Sequence, residues 1–283
     1  VVVMEKFDAV AALEFIERYR ITHSQWVPTM FSRMLKLPES DRIGHDLSTH
    51  RVAIHAAAPC PVPVKQEMME WWGPIIHEYY AGTERIGATR FGPEDWVAHP
   101  GSVGQPPEGA VFILDAEGNE LPRGEEGAIF FKATGTFVYK GDPDKTREAM
   151  IDGGLGTYGD VGYIDDEGYL FLTDRKSHPI SSAGVNTYPR EAEDVLITHP
   201  AVADVAVIGV PNEDLGEEVK AVVQVADGVV ESRELEVALM AYCAEHIARY
   251  KCPRSVDFAP ELPRLPTGKL YKRKLRDQYW AEA

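Results

Sequence analysis

The sequence has few cysteines, no long apolar run and a strongly one-sided charge. Its three cysteines, Cys60, Cys243 and Cys252, are too few and too scattered for a disulfide framework or a thiolate metal site. Its apolar runs fall far short of the roughly 20 residues that span a bilayer, and no signal peptide is visible. The net charge of −16 argues against a general nucleic-acid or anionic-membrane surface. We therefore expect a cytoplasmic protein with no nucleic-acid partner and no transmembrane segment.

The pattern along the chain predicts two kinds of layer and two domains. With 283 residues, 44% of them hydrophobic, the chain is large enough to bury a hydrophobic core and to hold two domains. Helices and strands alternate up to about residue 100, which favours a parallel α/β layer. Short strands with Gly/Asp turns then predict a small antiparallel barrel or sandwich. A polar stretch after residue 174 predicts a linker, and a compact α+β pattern follows it.

Two segments carry residue types suited to a nucleotide. In YYAGTE, after a predicted strand, small residues let backbone amides approach a ligand. There Thr83 can bond a phosphate oxygen, and Glu84 can hold Mg²⁺. A turn with a capping threonine explains this segment as well. In GLGTYGDVGY, Asp160 lies between glycines and can accept both hydroxyls of a ribose, with an ordinary turn aspartate as the alternative.

Two further segments supply cations. Arg175 follows an apolar strand and can reach a ribose or phosphate, or simply pair with an acid. Residues 264–276 contain six cations and no acid, which predicts an electropositive strip. Within it, Lys269 lies in the Pro/Gly-confined loop PTGK, where its charge can be held against a phosphate or carboxylate. A surface lysine on a solvated basic helix is the alternative.

Taken together, these segments resemble one family. The order AAAP, YYAGTE, TYGD, TDR and PTGK resembles the adenylate-forming superfamily of acyl-CoA synthetases, nonribosomal adenylation domains and luciferases. The likeness covers essentially all 283 residues and includes GSVGQP and the closing KRKLRDQYW. Because no carrier domain follows PTGK, we expect a synthetase for fatty or related carboxylic acids.

The resemblance implies a fold and a set of domains. The expected fold is α/β plus α+β: part of a large adenylation domain, with an α/β layer and a small β-barrel, and then a small mobile C-terminal domain. The implied ranges are 1–99 for the C-terminal part of the adenylation core, 100–176 for the β-barrel subdomain and 177–283 for the mobile domain. Ser177 is the implied hinge, where the family commonly has Asp or Lys.

The resemblance also implies roles for individual residues in a reaction that uses ATP, Mg²⁺, CoA and a carboxylic acid. Lys269 would bridge the acyl carboxylate and the α-phosphate, Thr83 would contact the phosphate, and Glu84 would hold Mg²⁺. Asp160 and Arg175 would fix the ribose. The other implied binding residues are Ala57, Ala58, Tyr79, Tyr80, Ala81, Gly184 and Asn186. Trp26 is a further candidate for the acyl side.

The sequence departs from the family pattern in two places. Pro179 replaces an apolar residue near the hinge, and proline fixes φ, which puts the domain swing and thioester formation in question. The Ser/Thr/Gly-rich phosphate loop of the family should lie upstream, and no segment of the chain provides it. We expect this chain alone to bind nucleotide weakly and not to turn over, and to self-associate or to associate with the missing N-terminal portion.

Three functions remain open at this point. The first is part of an AMP-forming acyl-CoA synthetase. The second keeps adenylation but transfers the acyl group to a carrier-protein thiol or an amine. The third is a degenerate, non-catalytic module that binds an adenylate or a partner.

Overall fold

The computed structural model divides the chain into two units, Val1–Ser177 and His178–Ala283. It describes all residues except 134, 152, 176–179, 183–184, 265–269 and 282–283, and it does not describe the side chains of residues 174, 175, 181, 185 and 186. No helix in the described ranges is long and apolar enough to cross a membrane.

The first layer of unit 1 is a four-stranded sheet with helices. Its elements are α1 (Ala9–Arg18), β1 (His23–Trp26), α2 (Pro28–Leu35), α3 (Glu39–Ile43), β2 (Val52–His55), α4 (Val62–Trp72), β3 (Ile76–Ala81), β4 (Ala88–Phe91) and α5 (Pro93–Ala98). The strands lie in chain order; β1, β2 and β3 are parallel, and β4 is antiparallel to β3. Asp8 caps α1 by accepting a hydrogen bond from the amide of Ala11. The predicted parallel α/β layer is therefore present.

The second layer of unit 1 is an antiparallel sheet of six strands. Its elements are β5 (Val111–Leu114), β6 (Gly127–Lys132), α6 (Pro143–Ala149), β7 (Met150–Ile151), β8 (Leu155–Gly156), β9 (Asp160–Ile164) and β10 (Leu170–Arg175). Among the described residues, no strand pairing closes this sheet into a barrel. Two of its strands, β7 and β8, are only two residues long. The predicted β-rich subdomain is thus an open sheet.

Unit 2 is an α+β domain with a sheet buried on both faces. Its elements are β11 (Ile180–Ser182), β12 (Val185–Thr187), α7 (Pro189–Leu196), β13 (Val202–Asn212), β14 (Gly216–Val225), α8 (Arg233–His246), β15 (Ser255–Phe258) and α9 (Lys272–Ala281). Along β13, Val205 and Val207 pack with α7 and α8, while Ala206 and Ile208 pack toward Leu275 of α9. Because helices cover both faces, the strand is apolar almost throughout.

A buried ionic cluster connects the strands and helices of the first layer. Lys65 of α4 is fully buried, and its Nζ lies 2.7 Å from Oε2 of Glu78 on β3. Nε2 of His55, at the end of β2, lies 3.3 Å from the same oxygen. Burial alone would raise the pKa of Glu78, but the charges of His55 and Lys65 and the hydrogen bond from Lys65 outweigh it and hold the pKa below its ordinary value.

We predict that Lys65→Met will strongly destabilise unit 1. The substitution leaves the Glu78 carboxylate buried without its lysine, which typically costs about 3–5 kcal/mol. The measurement is the denaturant midpoint of unfolding, followed by circular dichroism. The exposed Lys6 provides the matched control, Lys6→Met. Equal midpoints for the two variants would show that the buried pair is not stabilising.

Candidate functional site

The end of β3 and the loop that follows it lie against the second sheet. Tyr80 of β3 donates its hydroxyl hydrogen to Oδ2 of Asp160 over 2.6 Å. Asp160 is 7% exposed and begins β9, where it lies opposite Arg175 of β10 in the antiparallel register. The structure therefore brings the predicted ribose residues Asp160 and Arg175 onto neighbouring strands, next to Tyr80.

The carboxylate of Glu84 is held by two hydroxyl groups. Tyr139 donates to Oε1 over 2.8 Å, and Thr83 donates to Oε2 over 3.3 Å. Burial alone would raise the pKa of Glu84, but hydrogen bonds from its own amide, Tyr139 and Thr83, with the charge of Lys145, lower it overall. Glu84 is therefore ionised at neutral pH and presents oxygen ligands.

Tyr158 fixes the same segment at two further points. Its hydroxyl donates to the carbonyl oxygen of Gly87 over 2.7 Å and accepts from the Gly87 amide at 3.1 Å. Its ring lies against Gly82: a Cβ added at Gly82 would lie 2.3 Å from Cε1 of Tyr158. Only glycine fits there without displacing the ring, which explains the glycine of YYAGTE.

The alanine turn predicted to wall the nucleotide follows β2. Ala56 is buried, whereas Ala57 and Ala58 are exposed, and Ala57 has a φ of 76°. Such a left-handed conformation costs an alanine roughly 1–2 kcal/mol. Because β2 and β3 are parallel neighbours, this turn and the YYAGTE segment leave the same edge of the sheet, where open α/β sheets bind ligands. Tyr79 is 39% exposed at this end of β3, and Ala81 is exposed too.

Several predicted site residues cannot be placed. Lys269, Ser177 and Gly184 lie outside the described residues. Asn186 lies on β12, paired in register with Ser181, and its side chain is likewise outside the described part. Their roles stay predictions.

Trp26 lies in the core of the first layer. Its side chain is 7% exposed and packs against Phe31 and Trp72, with ring centroids 6.2 and 5.5 Å away. Its indole Nε1 donates to the hydroxyl of Ser24 over 2.5 Å. These contacts make Trp26 part of the aromatic core.

Three cations of the basic strip, Arg264, Lys272 and Arg276, form ion pairs within unit 2. Each of the three is paired with a carboxylate that lies far from it in sequence. The pairs are Arg264 with Asp204, Lys272 with Glu193, and Arg276 with Glu217. The expected electropositive strip was therefore wrong for these residues, because the sequence window contains none of their partners.

Sequence reasoning missed Tyr139 and Tyr158 as site residues. Tyr158 lies within the TYGD motif, so the motif itself could have indicated it. Tyr139 lies in the loop before α6 and contacts Glu84, which is 55 residues away in the chain. No local sequence pattern predicts that contact.

The described residues fit a divalent cation that is shared with a phosphate. No group of three or more His, Cys, Asp and Glu that could hold a metal occurs within the described part of the chain. Glu84 is nevertheless ionised and partly accessible. Mg²⁺ is usually bound in this way, by one or two carboxylates together with substrate phosphates and water.

Two family models match the chain. Residues 1–141 match the model described as AMP-binding enzyme, and residues 191–269 match AMP-binding enzyme C-terminal domain.

Relatives with different acyl acceptors are about equally similar. The fatty acid–[acyl-carrier-protein] ligase ScoC of Streptomyces coeruleorubidus is 35% identical over all of this chain and 54% of its own length. A long-chain-fatty-acid–CoA ligase of Mycobacterium tuberculosis is 35% identical over 98% of this chain and 54% of its own length. The structure of the amide bond synthetase McbA from Marinactinospora thermotolerans superposes with a TM-score of 0.80 at 34% identity, covering 99% of this chain and 57% of McbA.

The chain thus spans about half the length of the curated relatives that it matches. Both family models lie in the order that the motifs predict, AMP-binding before AMP-binding C-terminal. On these grounds the chain belongs to the superfamily of AMP-binding, adenylate-forming enzymes, which includes the acyl-CoA ligases.

Proposed function

We propose that this chain carries the second half of the active site of an ATP-dependent acyl-CoA synthetase for a fatty acid. The observation that carries the proposal is the pair of carboxylates, Glu84 and Asp160, each held by a tyrosine hydroxyl on adjoining parts of unit 1. One carboxylate is suited to a metal-bound phosphate, and the other to a ribose diol.

The proposed reaction has two steps. A carboxylate oxygen of the fatty acid attacks the α-phosphorus of ATP, the bond between the α-phosphorus and its bridging oxygen breaks, and pyrophosphate leaves. The CoA sulfur then attacks the acyl carbonyl carbon, AMP leaves with the electron pair of the broken carbon–oxygen bond, and the thiol proton is released. Charge builds on the α-phosphate in the first step, so fixed positive charge there lowers the barrier.

We assign the residues of this chain to binding and orientation in these steps. Asp160 and Arg175 hold the ribose, and Thr83 contacts a phosphate oxygen. Glu84 holds the Mg²⁺, which neutralises phosphate charge when it is bound. Lys269 bridges the acyl carboxylate and the α-phosphate. The other proposed binding residues are Ala57, Ala58, Tyr79, Tyr80, Ala81, Gly184 and Asn186, with Ser177 as the hinge between domains 1–176 and 177–283.

The proposed acceptor is CoA, with a carrier-protein thiol or an amine as the alternative. The alternative rests on the similar identity of the three relatives, one of which acts on an acyl-carrier protein while another is an amide bond synthetase. No segment of the chain resembles a Ser/Thr/Gly-rich phosphate loop, so we propose that turnover requires a further polypeptide portion that supplies it.

A chimera tests the function and the acceptor together. The half of the Mycobacterium tuberculosis ligase that precedes the matched region would be joined to this chain. We expect it to release pyrophosphate from ATP with a fatty acid and to form acyl-CoA, while this chain alone does neither. Acylation of a carrier protein or an amine but not of CoA would favour the alternative acceptor. Pyrophosphate release by the chain alone at ordinary rates would contradict the need for a further portion.

We predict that Asp160→Asn will weaken binding of an acyl-sulfamoyl adenosine, a stable mimic of an acyl-adenylate, by roughly ten- to a hundredfold. A hydrogen bond to a charged acceptor is worth about 1.5–3 kcal/mol, and the amide removes the charge. Calorimetric titration of the chain gives the dissociation constants. Asp166→Asn, an exposed position in the turn between β9 and β10, is the matched control. Unchanged affinity for Asp160→Asn in a folded protein would remove Asp160 from the site.

We also predict that Gly82→Ala will impair binding of the same compound. The new methyl group forces the Tyr158 ring away, which breaks its hydrogen bonds to Gly87, and such overpacking costs about 1–3 kcal/mol. Gly135→Ala is the control, because a Cβ there meets nothing within 4 Å. The melting temperature and the affinity are measured for both variants. A Gly82→Ala protein that melts and binds like Gly135→Ala would contradict the close fit against Tyr158.

A further inference from the structure

Tyr139 contacts the candidate site from a segment outside the motifs quoted above, AAAP, YYAGTE, TYGD, TDR and PTGK. It lies between β6 and α6, and its hydroxyl is 2.8 Å from Oε1 of Glu84. The contact joins the loop after β3 of the first sheet to a loop of the β-rich layer, so it does not arise from sequence proximity.

The loop fixes the orientation of Tyr139 independently of Glu84. The Tyr139 amide donates to Oγ1 of Thr146 over 3.0 Å, and that hydroxyl donates to the carbonyl oxygen of Asp142 over 2.9 Å. Asp142 in turn caps α6 by accepting from the amide of Lys145. The backbone of Tyr139 is therefore anchored to the first turn of α6.

The ring of Tyr139 is held on two sides. It packs edge-on against Phe137, with centroids 5.2 Å apart, and Nζ of Lys145 lies 4.2 Å from its centroid. Because the backbone and the ring are already fixed, pointing the hydroxyl at Glu84 costs little additional side-chain conformational entropy.

A carboxylate that is held in this way can still bind a cation. Each carboxylate oxygen offers about two acceptor directions, so a hydrogen bond from Tyr139 to Oε1 leaves other directions available for a metal. Tyr139 and Thr83 approach different oxygens, which fixes the plane of the carboxylate and not merely its position. Lys145 adds positive charge beside the same carboxylate, which favours its ionised form.

We infer that Tyr139 is a positioning residue that orients the Glu84 carboxylate toward the divalent cation of a metal–nucleoside triphosphate complex. The inference rests on the proposed function, because it requires Glu84 to be the metal ligand. Tyr139 itself touches neither the nucleotide nor the cation. Its removal should therefore weaken the metal-dependent part of nucleotide binding and leave the metal-independent part unchanged.

The test compares wild type with Tyr139→Phe, Glu84→Gln and Tyr19→Phe. Tyr19, at the end of α1, is 48% exposed and provides a control for loss of a tyrosine hydroxyl elsewhere. Mn²⁺ with ATP is the probe: bound Mn²⁺ is followed by electron paramagnetic resonance, and ATP binding is measured separately in the presence of EDTA. A melting temperature for each variant reports the fold.

For Tyr139→Phe we expect the dissociation constant of Mn²⁺–ATP to rise roughly three- to tenfold, as for loss of one hydrogen bond. For Glu84→Gln we expect a larger rise. ATP binding in EDTA should be the same for wild type and Tyr139→Phe, and Tyr19→Phe should match wild type throughout.

Different failures separate the inference from the proposed function. If Mn²⁺ adds nothing to ATP binding by the wild type, or if Glu84→Gln binds Mn²⁺–ATP like the wild type, the metal role of Glu84 is wrong and the inference falls with it. If Glu84→Gln is impaired but Tyr139→Phe is not, the proposed function stands and the inference is wrong. Equal losses for Tyr139→Phe with and without metal indicate a structural role alone and also overturn it.

Discussion

The candidate site depends on three tyrosine hydroxyls that fasten one strand end of the first sheet to the second sheet. Tyr80 reaches Asp160, Tyr139 reaches Glu84, and Tyr158 brackets the backbone of Gly87. The donors come from both sides, since Tyr80 belongs to the first sheet and the other two to the second layer. Together with the apolar contacts between the layers, these bonds fix the positions of two carboxylates that are proposed for different parts of one ligand.

A second constraint fixes the first sheet at the same edge. The turn at 56–61 runs from His55 of β2 to the start of α4, where Lys65 is in the first turns. His55 and Lys65 both meet the same oxygen of Glu78. One buried carboxylate therefore holds both ends of the alanine turn, and it lies one residue before Tyr79. Leaving a charge unpaired at this depth costs free energy, so these ion pairs keep the alanine turn and the end of β3 in a fixed relative position.

The sequence predicted what depends on local pattern and on ordered motifs. The hairpin of β9 and β10 follows from DDEG between alternating strands, and in this hairpin Asp160 lies opposite Arg175. The candidate site residues Thr83 and Glu84 lie in the loop after β3, as expected for a segment that follows a strand. The small residues of YYAGTE were interpreted as room for a ligand, which stays a prediction; the structure adds the ring of Tyr158, in the loop between β8 and β9, as a reason for Gly82.

Prediction failed where the partner of a side chain is remote in sequence. The cations of residues 264–276 looked unpaired because Asp204 and Glu217 lie about 60 positions away from Arg264 and Arg276. Tyr139 gave no signal for the same reason. A barrel was predicted where the described residues form an open sheet. Closure depends on the length and stagger of all the strands together, which local turn patterns do not show. Local chemistry can therefore propose candidate site residues, but the groups that orient their side chains come from the tertiary fold.

The ion pairs of Arg264 and Lys272 also connect both flanks of the segment 265–269 to the rest of unit 2. Arg264 pairs with the buried Asp204 of β13, and an antiparallel bridge joins Arg264 to Leu270. Just beyond, Lys272 pairs with Glu193 of α7, whose other oxygen accepts from the amide of Val207. Both flanks of the segment at 265–269 are thus bonded to the sheet and helix of unit 2. Arg264 and Lys272 are therefore part of the packed framework of unit 2, and their charges are used to join its sheet and helices.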